Sequence, residues 1–222
     1  MDEKHFEKTT LNTVKRLPRR GHYDQDTIYG ILDQQYICHL AWEDQGQPFL
    51  IPTAYGRKGD ILFVHGSSKS RMLSALADGR PLCMVVTLVD GLVLARSAFH
   101  HSMNYRSAVI YGRAHELEGE EKMEALRIVS DQILPGRWEE VRLPTEMEMK
   151  ATTVLAIEIK SASAKIRTGP PADDEADYAL PIWAGILPLS QAYQKPIPDP
   201  AMNPEWPVPE SIIRHANKSN EI

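Results

Sequence analysis

Between residues 36 and 66 the chain carries three short extended runs, YICHLAW (36–42), PFLIPTAYG (48–56) and DILFVHG (60–66), joined only by EDQGQ and RKGD. Connections this short make hairpins, whereas a parallel pair needs a crossover of about a dozen residues or more. The segment therefore predicts an antiparallel meander. Further runs extend it. PLCMVVTLV and LVLARSAF flank Asp90-Gly91, a pairing that predicts a hairpin with a two-residue turn. SAVIYGRAHEL (107–117) predicts another strand, and VLAIEIKSASAKIRTG (154–169) alternates well enough for one long or two short strands. With at least six strands, mostly antiparallel, the sheet is expected to curl into a barrel.

Helical spacing is confined to a few places. Ile28, Ile31 and Leu32 follow Asp26, which reads as an N-cap. SSKSRMLSALADG offers Ser67 or Ser68 as N-cap, Met72, Leu73 and Leu76 as an apolar stripe, and Asp78-Gly79 as a stop. The acidic stretch from Glu120 to Leu134 predicts a third helix. Residues 1–23, with Lys15, Arg16, Arg19 and Arg20 around Pro18, read as a solvated arm. Residues 24–189 form the main domain and 190–222 a C-terminal arm, since 196–209 hold six of the sixteen prolines and proline density forbids regular ladders and helices.

The 222 residues are enough for one main core, and no stretch approaches the roughly 18 apolar residues of a membrane span. A formal charge of -5 argues against a general nucleic-acid binder. The N-terminus MDEKHFEKTT lacks the layout of a secretory signal, so a cytoplasmic setting is expected. Cys38 and Cys83 sit in apolar runs and read as core residues.

Chemistry concentrates in HGSSKSR, at a strand end and helix start. Ser67 and Ser68 supply hydroxyls, Lys69 and Arg71 cations, and a helix start adds unpaired N–H groups, which is a set that can hold a phosphate. A well-capped surface helix with solvated cations is the alternative for these residues alone. His100 and His101 are adjacent, so on a strand they face opposite ways and do not chelate one ion, and no metal site is expected. No Gly-x-Ser-x-Gly elbow is present. Trp183 in LPIWAGILPL is open between core filling and a stacking surface for a planar ligand.

Together, IPTAYG, ILFVHGSSKSRML, VDGLVLARSAFHHSMNYRSAVIYGRA, EEKMEALRIVSDQILPGRW, AKIRTGPP and LPIWAGILPL, from about Asp24 to Leu189, resemble the pyridoxamine 5'-phosphate oxidase-like flavin-binding proteins. The likeness is greatest to their flavin-nucleotide-binding branch, related to the nitroimidazole-resistance proteins. The resemblance implies a split β-barrel that dimerises and holds FMN between subunits. It makes Ser67, Ser68, Lys69 and Arg71 the phosphate clamp and puts His65 at the pocket edge. It lays Pro52, Thr53 and Ala54, and Ser97, Ala98, Phe99 and His100, along the isoalloxazine. Arg106 becomes a second phosphate or partner contact, and Trp183 a cover from the other subunit. The arginine-and-lysine strand pattern and the C-terminal substrate signature of the true oxidase are missing, so that enzyme's own reaction is not implied. The expectation is an FMN-dependent oxidoreductase of a small molecule, with His100 for proton transfer near the ring. A flavin carrier or sensor, or a protein using the pocket for haem or another planar ligand, stands as the alternative.

Overall fold

The computed structural model describes residues 4–218. In chain order the elements are β1 (Gly21–His22), α1 (Gln25–Leu32), β2 (Ile37–Asp44), β3 (Gln47–Lys58), β4 (Ile61–Ser67), α2 (Arg71–Ala77), β5 (Leu82–Leu94), β6 (Ser102–Gly112), β7 (Ala114–Glu116), α3 (Gly119–Ile133), α4 (Glu146–Lys150), β8 (Thr152–Glu158), β9 (Ser161–Arg167), β10 (Gly185–Pro188) and α5 (Glu210–Lys218). The pairings are antiparallel. Two compact units share these elements, one of residues 1–53, 81–113 and 159–190, the other of 54–80, 114–158 and 191–222.

In the first unit the strand order is β1-β9-β6-β5-β2, with β10 also on β5. The end strands of this ladder do not pair with each other, so it stays open rather than closing into a barrel. Helix α1 packs on β5, β6 and β9. It buries Ile28, Ile31 and Leu32, near-complete removal of three large aliphatic chains from water at about 1.5–3 kcal/mol each. Its N-cap is Asp24, which accepts from Thr27 N at 2.8 Å, and not Asp26. Only Gln25 separates these positions. The one whose backbone is extended takes the cap, because only there does the carboxylate reach back to the first free N–H groups.

Asp90-Gly91 makes no turn. β5 runs through it as one strand of thirteen residues and pairs with β6 from Leu82↔Gly112 to Val93↔Ser102, with a bulge between Val89 and Gly91. The reversal comes at residues 95–101 instead. Tertiary contacts account for both residues: a Cβ on Gly91 would lie 2.9 Å from Leu187 O and 3.2 Å from Pro188 Cα, so glycine lets β10 approach. The Asp90 carboxylate meets Arg106. By contrast, the turn after β2 follows its sequence, with Gln45 and Gly46 both at positive φ.

The N-terminal segment is strapped onto this unit rather than solvated. Phe6 and Tyr23 are buried, Phe6 N donates to Tyr23 O at 2.9 Å, and the buried Asn12 donates its amide to Ala162 O at 3.2 Å.

In the second unit residues 55–58 of β3 pair with β4, and the order continues β4-β8-β7. Stretch 154–169 proves to be two strands, β8 here and β9 in the first unit. Phe63, Leu117, Ala125, Val129, Val154 and Ala156 form a buried cluster under α3. The arm at 189–209 has no helix or strand, as its prolines require, but α5 follows it, and there Ser211 N donates to Glu140 Oε1 at 3.0 Å. The expectation of an arm without elements to the chain end is thereby corrected: ESIIRHANK lies beyond the last proline and is free to coil. The final four residues lie outside the described range.

Gly56 is where β3 and α3 touch: an added Cβ would sit 2.8 Å from Ile128 O and from Val129 N and Cα. Because all three are backbone atoms, Gly56→Ala is expected to lower unfolding free energy by about 1–3 kcal/mol in urea denaturation.

Candidate functional site

In the second unit β4 stays paired with β8 as far as Ser67↔Thr152, and the ladder's last grip is Ser68 N on Ala151 O at 2.9 Å. The helix therefore starts later than the sequence suggests. Its N-cap is Ser70, accepting from Leu73 N, while Ser67 and Ser68 remain in or beside the sheet. Ser67 Oγ accepts from Lys69 N at 3.2 Å and Ser67 O from Ser70 N at 2.9 Å, which fixes the turn. Met72, Leu73 and Leu76 are buried, and α2 packs on β7 and β8, so the opposite side of this turn is anchored. Ser67, Ser68, Lys69 and Arg71 are thereby brought together on one exposed, hydrogen-bonded turn. Two cations and two hydroxyls on a rigid support suit a phosphate.

His65 lies two residues earlier, on the strand face it shares with Phe63. It borders a cleft of about 450 Å³ with Leu126, Pro144, Met149 and Thr152, where Arg142 and Glu148 form a two-pronged ion pair at 2.6 and 2.8 Å. The Arg142 hydrogen bonds lower the Glu148 pKa to about 2, and Thr145 N–H reinforces them in a capping box. Burial pushes the His65 pKa below the ordinary imidazole value. Its Nδ1 is sealed from solvent with no hydrogen-bond partner.

In the first unit the β5–β6 connection is built by Asp173. That carboxylate has 0 % of its side-chain surface exposed and accepts from Arg96 N at 2.9 Å, Ser97 N at 3.2 Å and Arg96 Nη1 at 3.2 Å. Burial opposes its ionisation, but the N–H donors of Arg96 and Ser97 and then the guanidinium outweigh it and hold the pKa below the usual carboxylate value. Ser97 Oγ accepts from Phe99 N, and a short 3-10 turn, Ala98–His100, presents Phe99 to solvent at 87 % exposure. The adjacent histidines part ways. His101 Nδ1 accepts from Ala95 N at 3.1 Å and ties the connection, while His100 Nε2 stands 3.4 Å from the Asp174 carboxylate.

Arg106 is already engaged. It forks onto Asp90 at 2.7 and 3.0 Å and donates to Gln34 at 2.8 Å, and the Asp90 hydrogen bonds raise its pKa. Pro52 and Thr53 lie on β3, Thr53 O accepting from Cys38 Sγ at 3.5 Å, and Ala54 follows in the second unit. Trp183 is 69 % exposed, its ring lying over Gly185. Burial pushes the Cys38 thiol up to about 12 and raises Cys83 too, so neither is a thiolate nucleophile at neutral pH.

Sequence reasoning missed Asp173, one of several acids in PPADDEAD, because nothing in the stretch marks which carboxylate is buried. It also missed Arg167, a buried guanidinium whose hydrogen-bond acceptors are Asn104 Oδ1, Gly169 O and Pro170 O, none of them a carboxylate. Its place in AKIRTG, on an alternating strand, was the available signal.

The sequence model of the pyridoxamine 5'-phosphate oxidase family matches residues 24–166. The chain belongs to this family. Among solved structures it is similar to a flavocytochrome from Azotobacter vinelandii, at 42% identity over 93% of this chain and 97% of that one, with a TM-score of 0.87. A FAD and heme binding protein from Mycobacterium smegmatis is 35% identical over 88% of this chain and 97% of its own, with a TM-score of 0.85. A proposed 5-nitroimidazole antibiotic resistance protein from Bacteroides thetaiotaomicron shares the fold, at 22% identity over 66% of this chain and 86% of its own and a TM-score of 0.53. No curated protein matches the sequence. Family membership and the mainly antiparallel β fold with helices are as the motif resemblance implies. Among the described residues no helix is long and apolar enough to cross a membrane.

Replacing Asp173 with alanine strips three donors of their acceptor while leaving the β5–β6 ladder in place. Amide hydrogen exchange at Arg96 and Ser97 is expected to accelerate at least about tenfold, a change of roughly 1.4 kcal/mol in local opening, with exchange in α1 unchanged. In the native protein, since the folded pKa is the depressed one, the tie is complete above the ordinary carboxylate pKa. It is lost as pH falls through the lower folded value, which exchange measured along an acid series reads directly.

Proposed function

We propose that this chain is a flavin- and haem-binding redox protein that acts as a homodimer on a small-molecule substrate. The observation that carries the reading is the similarity, across about nine-tenths of the chain and at 35–42% identity, to two proteins named as a flavocytochrome and as a FAD and heme binding protein. The same similarity favours FAD over the FMN that the motif resemblance implies. The turn at Ser67–Arg71 suits a phosphate of either.

Bound flavin supplies hydride and one-electron exchange, and haem supplies one-electron and O₂ chemistry. The protein's part is to bind, orient and shield. Lys69 and Arg71 neutralise the phosphate and Ser67 and Ser68 donate to it. Pro52, Thr53 and Ala54 and the turn at Ser97–His100 lie along the ring. His100, beside Asp174, is the group that passes a proton to or from a substrate at the ring edge. Phe99, Trp183, Leu187 and Leu189 of the first unit each hold apolar surface in water. A second copy covers that surface, and Trp183 then caps the partner's flavin. The free cysteines fit a reducing, cytoplasmic setting.

The purified protein is expected to be coloured, to release FAD on denaturation and to show a haem band. Release of FMN would keep the flavin reading and change its kind, whereas a colourless protein that takes up neither flavin would end it. Lys69→Ala and Arg71→Ala are each expected to weaken flavin binding by about tenfold to a hundredfold in fluorescence titrations, the size of a lost charge-assisted hydrogen bond of roughly 1.5–3 kcal/mol, with circular dichroism unchanged. Light scattering should return the mass of two chains, and Phe99→Asp should shift that equilibrium toward one. Sustained turnover with NADH or NADPH and an acceptor panel separates an oxidoreductase from a carrier.

A further inference from the structure

We propose that Arg167 and Arg20, at the end of β9 in the first unit, form a binding site for the oxyanion of a small-molecule acid, a carboxylate or a phosphate. The site calls on neither the flavin nor the haem. Arg167 is 8 % exposed, so its charge is almost wholly withdrawn from water. Two other inward arginines of this unit each face a carboxylate, Arg96 with Asp173 and Arg106 with Asp90. Arg167 faces none among the described residues. Its acceptors are the Asn104 side-chain oxygen at 2.5 Å and the carbonyls of Gly169 and Pro170 at 3.4 and 3.5 Å. A cation buried without an anion costs the fold more than a paired one, which marks a position kept for a counter-charge from outside the chain.

The donors left over define what fits. A guanidinium carries five N–H groups in one plane. Nη1 gives its two to Asn104 and Gly169, and Nη2 gives one to Pro170. Among the described residues, Nε–H and the second Nη2 N–H have no acceptor, and these two lie along one edge of the group. Parallel donors on one edge match two oxygens of a carboxylate or phosphate.

A second cation stands beside it. The 3-10 turn Pro18–Arg20 packs on β9, and Gly21, next in the chain, pairs with Lys165. Arg20 has no ion pair among the described residues. Burial, and then the charge of Arg20, lower the Arg167 pKa, yet a guanidinium stays protonated, so both remain cations. Two like charges held together, one of them desolvated, are an arrangement that a bound anion relieves. Tyr105, paired with Arg167 across the β6–β9 ladder, brings a hydroxyl to the same place. The carbonyls that steer Arg167 belong to one short stretch with Asp173, which accepts from Ser97 N, so this site and the turn at Ser97–His100 share a support.

The test is calorimetric titration of the full-length protein with sodium acetate and with inorganic phosphate, at an ionic strength held constant with sodium chloride, together with NMR of the arginine Nε–H groups. The expected result is one saturable site per chain for at least one of the two anions, with the Arg167 Nε–H resonance shifted and its exchange slowed. Tighter acetate binding makes the ligand a carboxylate, and tighter phosphate binding makes it a phosphate ester. Arg167→Lys keeps the charge but loses the fork and should weaken binding at least about tenfold, and Arg20→Gln should weaken it about tenfold. Circular dichroism checks that both variants are folded, and the NMR measurement on unaltered protein needs neither. No saturable uptake of either anion, wild-type affinity in Arg167→Lys, or an Arg167 Nε–H unmoved by the bound anion overturns the site. An Nε–H already slow to exchange with no anion added overturns it too, assigning the fork to an acid of a second copy. Competition between the anion and FAD also overturns it, by giving the fork to the cofactor. A protein that binds flavin but neither anion loses this site and keeps the proposed function.

Discussion

Strand β5 is the template on which the first unit depends. Its thirteen residues form ladders with β2 on one edge and β6 on the other, and β10 also pairs with its second half. A strand shared by three partners has little freedom of register, because a slip of one residue would turn Met84, Val86 and Val93 from the core to the outside. The bulge at Val89–Gly91 lets it do this. There the strand exchanges one pairing step for two contacts, Gly91 against β10 and Asp90 against Arg106. The exposed connection at 95–101 is then defined by where β5 and β6 end, and Asp173 closes it from a separate part of the chain.

The second unit solves a different problem, holding cations outward on something stiff. A long exposed cationic side chain such as that of Lys69 has many rotamers and loses entropy when held in one position. The backbone beneath it supplies the rigidity: the ladder to β8 runs into the turn, Ser70 caps the helix, and Met72, Leu73 and Leu76 fix its far side in apolar contact. The ladder that places Ser67 also sets His65 two residues back, on the face turned toward α3. One strand end thus carries an exposed polar turn and a shielded imidazole within three positions, with opposite electrostatic characters.

Much of this was readable along the chain, and the reasons for the failures are specific. The early hairpin turns, the helix at α3 and the clustered HGSSKSR were legible because each depends on residues within a few positions of one another. The Asp90-Gly91 turn was misread because the same dipeptide serves either to reverse a strand or to admit a close neighbour, and that neighbour, β10, lies almost a hundred residues on. The cap of α2 was misplaced by two or three residues because three serines offer equal local chemistry and only the β8 ladder decides which of them is still in the sheet. Asp173 among its acidic neighbours, and Asn12 in a stretch that reads as a solvated arm, were hidden for the same reason: burial is a property of what packs on a residue.

The sequence by itself determined the period of each element, the antiparallel order of the early strands, the residue types at the phosphate-suited turn and the family to which the chain belongs. Those properties are set by short-range sterics and by motifs whose spacing is linear. Tertiary structure alone decided which polar groups lose their water: Asp173 satisfied by three donors, Arg106 occupied by Asp90, and His65 left without a partner at the edge of a cleft. Desolvation depends on atoms brought from distant parts of the chain, so it is written in no local stretch, and it is what separates ordinary polar residues from those able to bind.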